Sequence, residues 1–391
     1  MPDFTKSRSL YQLTFGGSWP TSVTFLGDGS RLAAGNQKGE IYIWDLPAAP
    51  PPGAKTGKDR TAPNLDPIRR LDGHTNEITH LTVTPDGKQL LSSSYDRTLR
   101  IWPTDGPATG KAEAILDESA NLRVSGKAKK SEGAVTVETQ TACEVLTGHT
   151  EWIYALEVST DGKRAITGDA SSNVIVWDVP GRKPIAQWKG LPERWIVSAS
   201  LSPDGQTALV SEYIGRRDDF DCPAPALKLW DATSGKETLD ILKVQFPKLD
   251  PKVRTYSAMQ MWKKLISDGL ITTAFSPDGK LIAAGQGGEN DTGKVHIIDA
   301  VSGKLLRTIS GHRYGVTDVL FTADSKYLIS AGRDTTARIC QVADGKEIAA
   351  LHSPRGGQFK DWLSALALSP DQKRLAAADI AGLVHIWEFP G

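Results

Sequence analysis

The sequence predicts an all-β protein built from repeated units. The stretch from Leu71 to Trp102 holds three short apolar runs joined by turn-forming segments, and the third run ends at Trp102. Its first turn contains Asp86-Gly87, which supplies the positive φ that a tight hairpin needs. The same order of runs and turns returns along the chain, and self-similarity of this kind indicates a repeat array.

One aspartate marks the turn between the first two strands of each unit. The series has seven members: Asp28, Asp86, Asp161, Asp204, Asp278, Asp324 and Asp371. A four-stranded unit takes about 40–45 residues, so the longer intervals carry insertions. We place insertions at 47–67, 103–141 and 245–269.

These units resemble the repeats of the WD-repeat family of β-propellers. In the second unit, Gly73-His74, Asp96 and Trp102 match the family pattern, with Pro103 where the family has Asp. Other copies supply further matches: Gly148-His149, Gly311-His312, Trp44-Asp45, Trp177-Asp178 and Trp230-Asp231. The resemblance implies one domain over residues 1–391, a seven-bladed β-propeller of four-stranded antiparallel blades.

The two ends of the chain predict how such a ring closes. The last unit has only three strands, near Ala365, Leu375 and Val384, whereas residues 10–15 form a strand with no hairpin partner. An unpaired edge is a liability that closure removes. We therefore expect the N-terminal strand to complete the last blade.

The insertions predict excursions from the ring. Residues 47–67 are rich in Pro and Gly, and residues 121–138 suggest a hairpin with a polar tip. Both follow a third strand, so we expect one shared protrusion that is roughly independent of the ring. In unit four, residues 237–244 predict the fourth strand, and a helix with one apolar face is expected after Asp250.

Bulk properties narrow the function classes. The formal net charge is zero, which argues against nucleic-acid or anionic-membrane partners. No apolar run approaches the roughly 20 residues of a membrane span, and no signal peptide is evident. Cys143, Cys222 and Cys340 are widely spaced, as in reduced thiols. The sequence predicts a cytoplasmic monomer without a cofactor or metal.

A His, a Ser, an Asp and a Trp in unit two invite a catalytic interpretation. They are His74, Ser94, Asp96 and Trp102. The family resemblance implies instead a hydrogen-bonded tetrad that joins the strands of a blade, in keeping with the need to pair buried polar groups. The tetrad is predicted to be complete only in unit two, because Ser171 stands at the expected Asp position of unit three. No catalytic residue is predicted.

Aromatic residues recur just before the first strand of the units. The aligned positions are Trp19, Glu77, Trp152, Trp195, Gly269, Tyr314 and Trp362. In a propeller they ring one mouth of the channel, where they pack against the next blade or anchor a partner. The predicted partner-binding residues are Trp19, Trp152, Arg194, Trp195, Arg313, Tyr314, Arg333, Lys360 and Trp362.

The predicted function is a non-catalytic scaffold that binds a protein or peptide at this mouth. Long loops in units four to seven predict an asymmetric rim around it. The alternative is a propeller enzyme or small-ligand binder that uses the same mouth. That alternative requires a convergent set of titratable groups, and the sequence offers only scattered carboxylates.

Overall fold

A computed structural model describes residues 2–15, 18–49, 62–115, 134–213, 226–245, 269–288, 293–352 and 362–391. The protein is all-β, with seven four-stranded antiparallel blades arranged as a β-propeller, as predicted. Helix in these ranges is limited to a 3-10 turn at Phe4–Lys6 and a short helix α1 at Ile241–Gln245.

Two compact units divide the chain. The first comprises Met1–Thr147, Asp334–Arg338 and Ile348–Gly391, and the second comprises Gly148–Arg333 and Ile339–Glu347. The expectation of a single domain over residues 1–391 stays a prediction.

The first unit contains blades one, two and seven. Blade one is built from β2 (Pro20–Leu26), β3 (Arg31–Asn36), β4 (Ile41–Asp45) and β5 (Arg69–Leu71). Blade two has β6 (Ile78–Val83), β7 (Gln89–Ser94), β8 (Leu99–Pro103) and β11 (Glu144–Leu146). Blade seven has β28 (Leu363–Leu368), β29 (Arg374–Asp379), β30 (Leu383–Glu388) and β1 (Arg8–Thr14).

The second unit contains blades three, four and five and the first half of blade six. Blade three has β12 (Ile153–Val158), β13 (Arg164–Asp169), β14 (Asn173–Asp178) and β15 (Lys183–Lys189). Blade four has β16 (Trp195–Leu201), β17 (Thr207–Tyr213), β18 (Ala226–Asp231) and β19 (Glu237–Asp240). Blade five has β20 (Leu270–Phe275), β21 (Leu281–Gln286), β22 (Lys294–Asp299) and β23 (Leu305–Ser310). Blade six runs β24 (Val316–Phe321), β25 (Tyr327–Gly332), β26 (Thr336–Gln341) and β27 (Glu347–His352).

The N-terminal strand completes blade seven, which confirms the predicted closure. β1 runs antiparallel to β30, with Tyr11 opposite Ile386 and Leu13 opposite Val384. The side chains of Tyr11, Leu13 and Phe15 are fully buried. The first and last strands of the chain therefore share one sheet.

The hairpin predicted over residues 121–138 is described only in its second arm, and the expectation that this arm protrudes is wrong. The second arm lies in β10 (Ala134–Gln140), which pairs with β9 (Gly110–Ile115) and, in parallel, with β5, so that blade one is extended to six strands. Val137 on β10 is buried in the core cluster that contains Trp44. Burial of this apolar face against blade one makes the hairpin part of the blade. The predicted tip, Lys127–Glu132, lies outside the described residues.

The end of the first insertion is also built into the first unit. The backbone N–H of Gln12 donates to the Pro63 carbonyl at 3.0 Å, and the Trp44 Nε1–H donates to the Leu65 carbonyl at 3.1 Å. Ala62 is buried. The expectation of an excursion independent of the ring is therefore wrong for residues 62–65, while residues 50–61 lie outside the described part of the chain.

Blade four departs from the prediction at its outer strand. β19 ends at Asp240, and residues 241–245 form α1 instead of continuing the strand. Ile241 and Leu242 are buried in the cluster that includes Leu227 and Leu270. A helical turn places both adjacent side chains inward, whereas a strand would point them to opposite faces. The helix predicted after Asp250 lies outside the described residues.

Two features repeat from blade to blade. In six blades a Ser or Thr hydroxyl donates to the indexed turn aspartate, as Thr84 does to Asp86 at 2.6 Å. The residue after each indexed aspartate has a positive φ, such as 70° at Gly87, which confirms the predicted role of these turns. Each first strand also carries a β-bulge after its first paired residue; in blade three the extra residue is Tyr154. Bulges re-aim side chains near functional sites.

Candidate functional site

The polar network of blade two joins its strands at one end. His74 Nδ1 lies 2.7 Å from the Asp96 carboxylate, and His74 Nε2 lies 2.7 Å from the hydroxyl of Ser92. The indole N–H of Trp102 donates to the same hydroxyl at 2.9 Å. The serine of the tetrad is thus Ser92, and the prediction of Ser94 was wrong by two residues. Ser94 instead donates to the Asn76 carbonyl.

Burial and hydrogen bonds together shift the pKa values of His74 and Asp96. Burial lowers the pKa of His74, although the hydrogen bond to Asp96 opposes that effect. Burial alone would raise the pKa of Asp96, but hydrogen bonds to His74 and Thr98 outweigh it and hold the pKa well below its usual range. His74 and Ser92 are buried, so the group serves as a connected structural network.

A second complete network lies in blade three. His149 Nδ1 is 2.7 Å from Asp169 and its Nε2 is 2.6 Å from the Thr167 hydroxyl, which accepts the Trp177 indole N–H at 2.8 Å. The prediction that only unit two has a full tetrad was therefore wrong. Asp169 ends the second strand, two residues before Ser171, and its side chain reaches the histidine from there.

Blades six and seven hold partial or relocated versions. In blade six, His312 Nε2 lies 2.8 Å from the Ser330 hydroxyl. In blade seven, His385 on the third strand lies 2.6 Å from Asp379 and stacks on Trp387. Sequence reasoning missed the His385–Asp379 pair. Asp379 stands six residues before His385 in the sequence, and this spacing could have suggested the pair. The last unit lacks the Gly-His that marks the network in blades two, three and six.

In the second unit, aromatic side chains near the starts of β12 and β16 are exposed or stacked on one another. Trp152 directly precedes β12 and is 43% exposed, while its carbonyl accepts the Ala170 N–H. Trp195 begins β16 and stacks on the bulged Tyr154, with ring centroids 5.4 Å apart and planes 20° apart. The bulge at Tyr154 brings these two rings together.

The predicted basic and aromatic residues of this unit differ in their exposure. Arg313 is exposed, and its guanidinium lies over the Tyr314 ring at 5.4 Å. Arg333 is half-buried. Arg194 is only 5% exposed, and its carbonyl accepts the Ser172 hydroxyl. Arg194 is therefore buried, whereas Arg313 lies at the protein surface.

The alignment of Tyr314 with the tryptophans was wrong by one residue. Gly315 directly precedes β24, and Arg333 N–H donates to its carbonyl as Ala170 does to that of Trp152. A side chain at 315 would meet the backbone of Gly288 at 2.6 Å. Glycine stands here because another main chain packs against it.

The first unit carries its own set of mouth residues. Trp19 precedes β2 and is 45% exposed, and Trp362 precedes β28 and is half-buried. Glu77 precedes β6, and burial raises the pKa of its carboxyl group. Lys360 lies outside the described residues, as do most of the loops predicted to form an asymmetric rim.

Acidic groups offer little for chemistry in the described part of the chain. Glu157 on β12 is half-buried, and desolvation raises the pKa of its carboxyl to about 8. Within the described ranges no group of His, Cys, Asp and Glu is placed to hold a metal ion. The same ranges contain no helix of the length and hydropathy needed to cross a bilayer. Two further acidic segments of the sequence, residues 218–221 and 289–291, lie outside the described residues.

Comparison with known proteins finds WD repeats. The family "WD domain, G-beta repeat" matches residues 9–45, 65–103, 140–178 and 303–340. The chain is 33% identical over 96 residues to the target of rapamycin complex subunit LST8 of Saccharomyces cerevisiae, which covers 25% of this chain and 28% of that protein. It is 21% identical over 276 residues to eukaryotic translation initiation factor 3 subunit I of the same yeast, covering 70% and 64%.

A longer match extends over almost the whole chain. Human echinoderm microtubule-associated protein-like 2 is 21% identical over an alignment of 420 positions, gaps included, which covers 99% of this chain and 56% of that protein. The chain thus spans 28–64% of the length of these relatives. The names of the first two relatives describe subunits, one of a target of rapamycin complex and one of a translation initiation factor. WD repeats are thus found in four places along a chain whose fold is a seven-bladed β-propeller.

Proposed function

We propose that this protein is a non-catalytic interaction scaffold that binds a protein or peptide through the residues at the start of the first strands. The exposure of Trp152 carries the proposal. Trp152 is 43% exposed and lies two residues before Tyr154, which stacks on Trp195, and so large an apolar surface is costly to leave in water. Exposed Trp, Tyr and Arg side chains are the usual anchors of protein interfaces.

The relatives support the same class of function. LST8 is named as a subunit of a complex, and the initiation-factor relative is likewise a subunit. We propose a protein or peptide partner of unknown identity, with neither nucleic acid nor membrane as a ligand, and a cytoplasmic location. Trp152, Trp195, Arg313 and Tyr314 are the proposed contact residues of the second unit. Trp19 and Trp362 are those of the first unit.

The experiment begins with affinity purification of a partner, followed by direct binding measurements with purified components. Trp152→Ala is the most informative variant, because an exposed side chain can be truncated without opening a core cavity. We expect binding to weaken about 30-fold, as for an interface anchor that contributes about 2 kcal/mol. The melting temperature should stay unchanged.

Leu306→Ala provides the control, since Leu306 is 55% exposed on β23, the outer strand of blade five, and is not among the proposed contact residues. Binding to this variant should equal that of the wild type. Equal affinity for the wild type and for Trp152→Ala and Trp362→Ala would place the binding site elsewhere on the protein.

A further inference from the structure

The edge strand β9 is the outermost strand of the six-stranded sheet of blade one. Among the described residues, β9 pairs with β10 on one side and with no strand on the other. The main-chain groups on that outer side form a template for another strand. The sequence of this edge is Gly110-Lys111-Ala112-Glu113-Ala114-Ile115.

This edge is held rigidly by the rest of the first unit. Ala114 and Val137 are buried in the core cluster with Tyr42 and Trp44. Beneath the hairpin, Arg69 donates to Glu138 at 2.8 Å, so the parallel junction between β5 and β10 is tied by a charge pair. A pre-ordered edge pairs with a partner at a lower entropic cost than a mobile hairpin would.

If two copies of β9 pair around a two-fold axis, the charged side chains of each strand lie opposite charges of the other sign on its partner. Lys111 and Glu113 are exposed on the same face of the strand, two residues apart. In an antiparallel pair of two β9 strands centred on Ala112, Lys111 of each copy lies opposite Glu113 of the other. Opposite charges in directly facing positions stabilise antiparallel pairing.

The other face of β9 also permits this register. Ala112 would face Ala112 of the second copy, and Ala114 would face Gly110. These small side chains allow two strands to approach without a clash on the inner face. The register therefore satisfies charge on one face and volume on the other.

Several other outer strands have features that discourage strand addition. β15 contains Pro184. β11 has three residues, and β19 has four and leads into α1. Short strands and proline are common protections for sheet edges.

From this geometry we infer that β9 pairs with β9 of a second copy of this chain, forming a symmetric dimer in which two blade-one sheets become continuous. This inference departs from the monomer expected from the sequence. Two six-residue strands bury less than the roughly 1,200 Å² of a standard interface, so the dimer is weak and forms only at high protein concentration.

Sedimentation velocity on the full chain, between about 10 µM and 1 mM, tests the inference over the range of weak complexes. The weight-average mass should rise from 42.2 kDa toward twice that value. Lys111→Glu and Glu113→Lys should each weaken self-association about tenfold or more, because each variant sets like charges opposite one another.

Two recombinations make the test specific for the register. An equimolar mixture of the two single variants should associate again, because every facing pair then has opposite charges. The double variant Lys111→Glu/Glu113→Lys should self-associate like the wild type. Lys163→Glu, on an exposed turn of blade three, changes the net charge by the same amount as Lys111→Glu. It should self-associate like the wild type.

A wild-type protein that remains at 42.2 kDa throughout this range would overturn the inference. So would a dimer that is insensitive to both single variants, or one that the mixture and the double variant fail to restore. Melting temperatures of the variants should equal that of the wild type, since Lys111 and Glu113 are exposed.

Discussion

Blades two and four have the same four-stranded topology but different interiors. In blade two, Ser92 accepts the indole N–H of Trp102 and contacts His74. In blade four, Ala208 pairs with Trp230, so that Val210 takes the place of the serine. The buried Trp230 Nε1 has no hydrogen-bond partner among the described residues.

Blades two and four also differ in the segment that leads into the first strand. Blade two has Gly73-His74, whereas blade four has Gly190-Leu191, with the Leu191 N–H donating to the buried carboxylate of Glu212 at 2.9 Å. Blade four instead packs Trp230 against Trp188 of β15 in blade three, with the ring centroids 5.6 Å apart. The tetrad is therefore one way to fill a blade, and apolar packing is another.

Removing the N-terminal strand should reduce stability more than any other change considered, because blade seven would keep only three of its four strands. Deletion of residues 1–16 exposes one edge of β30 and removes the buried Leu13 and Phe15, each worth about 1.5–3 kcal/mol. We expect aggregation or a large fall in melting temperature. Arg8→Ala, at an exposed position, is the control, and a deletion variant that remains monomeric with an unchanged melting temperature would contradict this.

A conservative change at the tryptophans compares the two blades directly. Trp102→Phe removes the only indole donor to Ser92, while Trp230→Phe removes an N–H that has no acceptor among the described residues. We expect Trp102→Phe to lower the free energy of unfolding by about 1–2 kcal/mol more than Trp230→Phe does. Urea titrations measure both values, and equal losses would show that the network adds nothing beyond packing.

Replacing His74 by leucine, the residue of blade four, should give a pH-dependent loss. At pH 7.5 the cost is about 2 kcal/mol, because the largely buried Asp96 carboxylate loses its hydrogen bond to His74. Burial lowers the pKa of His74 below its ordinary 6.5. The unfolded wild type thus takes up a proton that the folded form resists, and its stability falls as the pH drops below 6.5.

Leucine cannot take up that proton, so the difference between wild type and His74→Leu should shrink from pH 7.5 to pH 5. Thermal unfolding at both pH values measures it. Ser92→Ala removes a network member that does not titrate and serves as the control. A difference that stays constant, or grows, toward pH 5 would refute the assignment of a buried neutral histidine.

The smallest effect should come from adding one network atom to blade four. Val210→Thr places a hydroxyl near Trp230 Nε1, as Thr167 does for Trp177 in blade three. We expect a gain of about 0.5–1 kcal/mol in the free energy of unfolding, the value of one buried hydrogen bond. Val176→Thr, at a buried position of β14, controls for burying a hydroxyl. A loss of stability equal to that of the control would mean that no new bond forms.

The sequence by itself determined the repeat, the blade count and the closure. Alternating apolar runs and Asp turns such as Asp86-Gly87 are local signals, because a hairpin is decided by a few adjacent residues. The missing fourth strand near Val384 and the surplus strand at Leu10 were visible without coordinates. Of the candidate site, Trp19, Trp152 and Trp362 were found at the predicted positions before their first strands.

Only the tertiary structure decided which polar groups meet and how the insertions are used. Asp169 and Ser92 were misassigned because a side chain reaches a partner through space, and counting residues from Trp102 or Trp177 does not record that reach. The Tyr154 bulge, which creates the stack on Trp195, leaves no pattern in the sequence. The pairing of β10 with β5 joins strands far apart in the chain, and it depends on burying Val137 beside Trp44, a contact that exists only once blade one has folded.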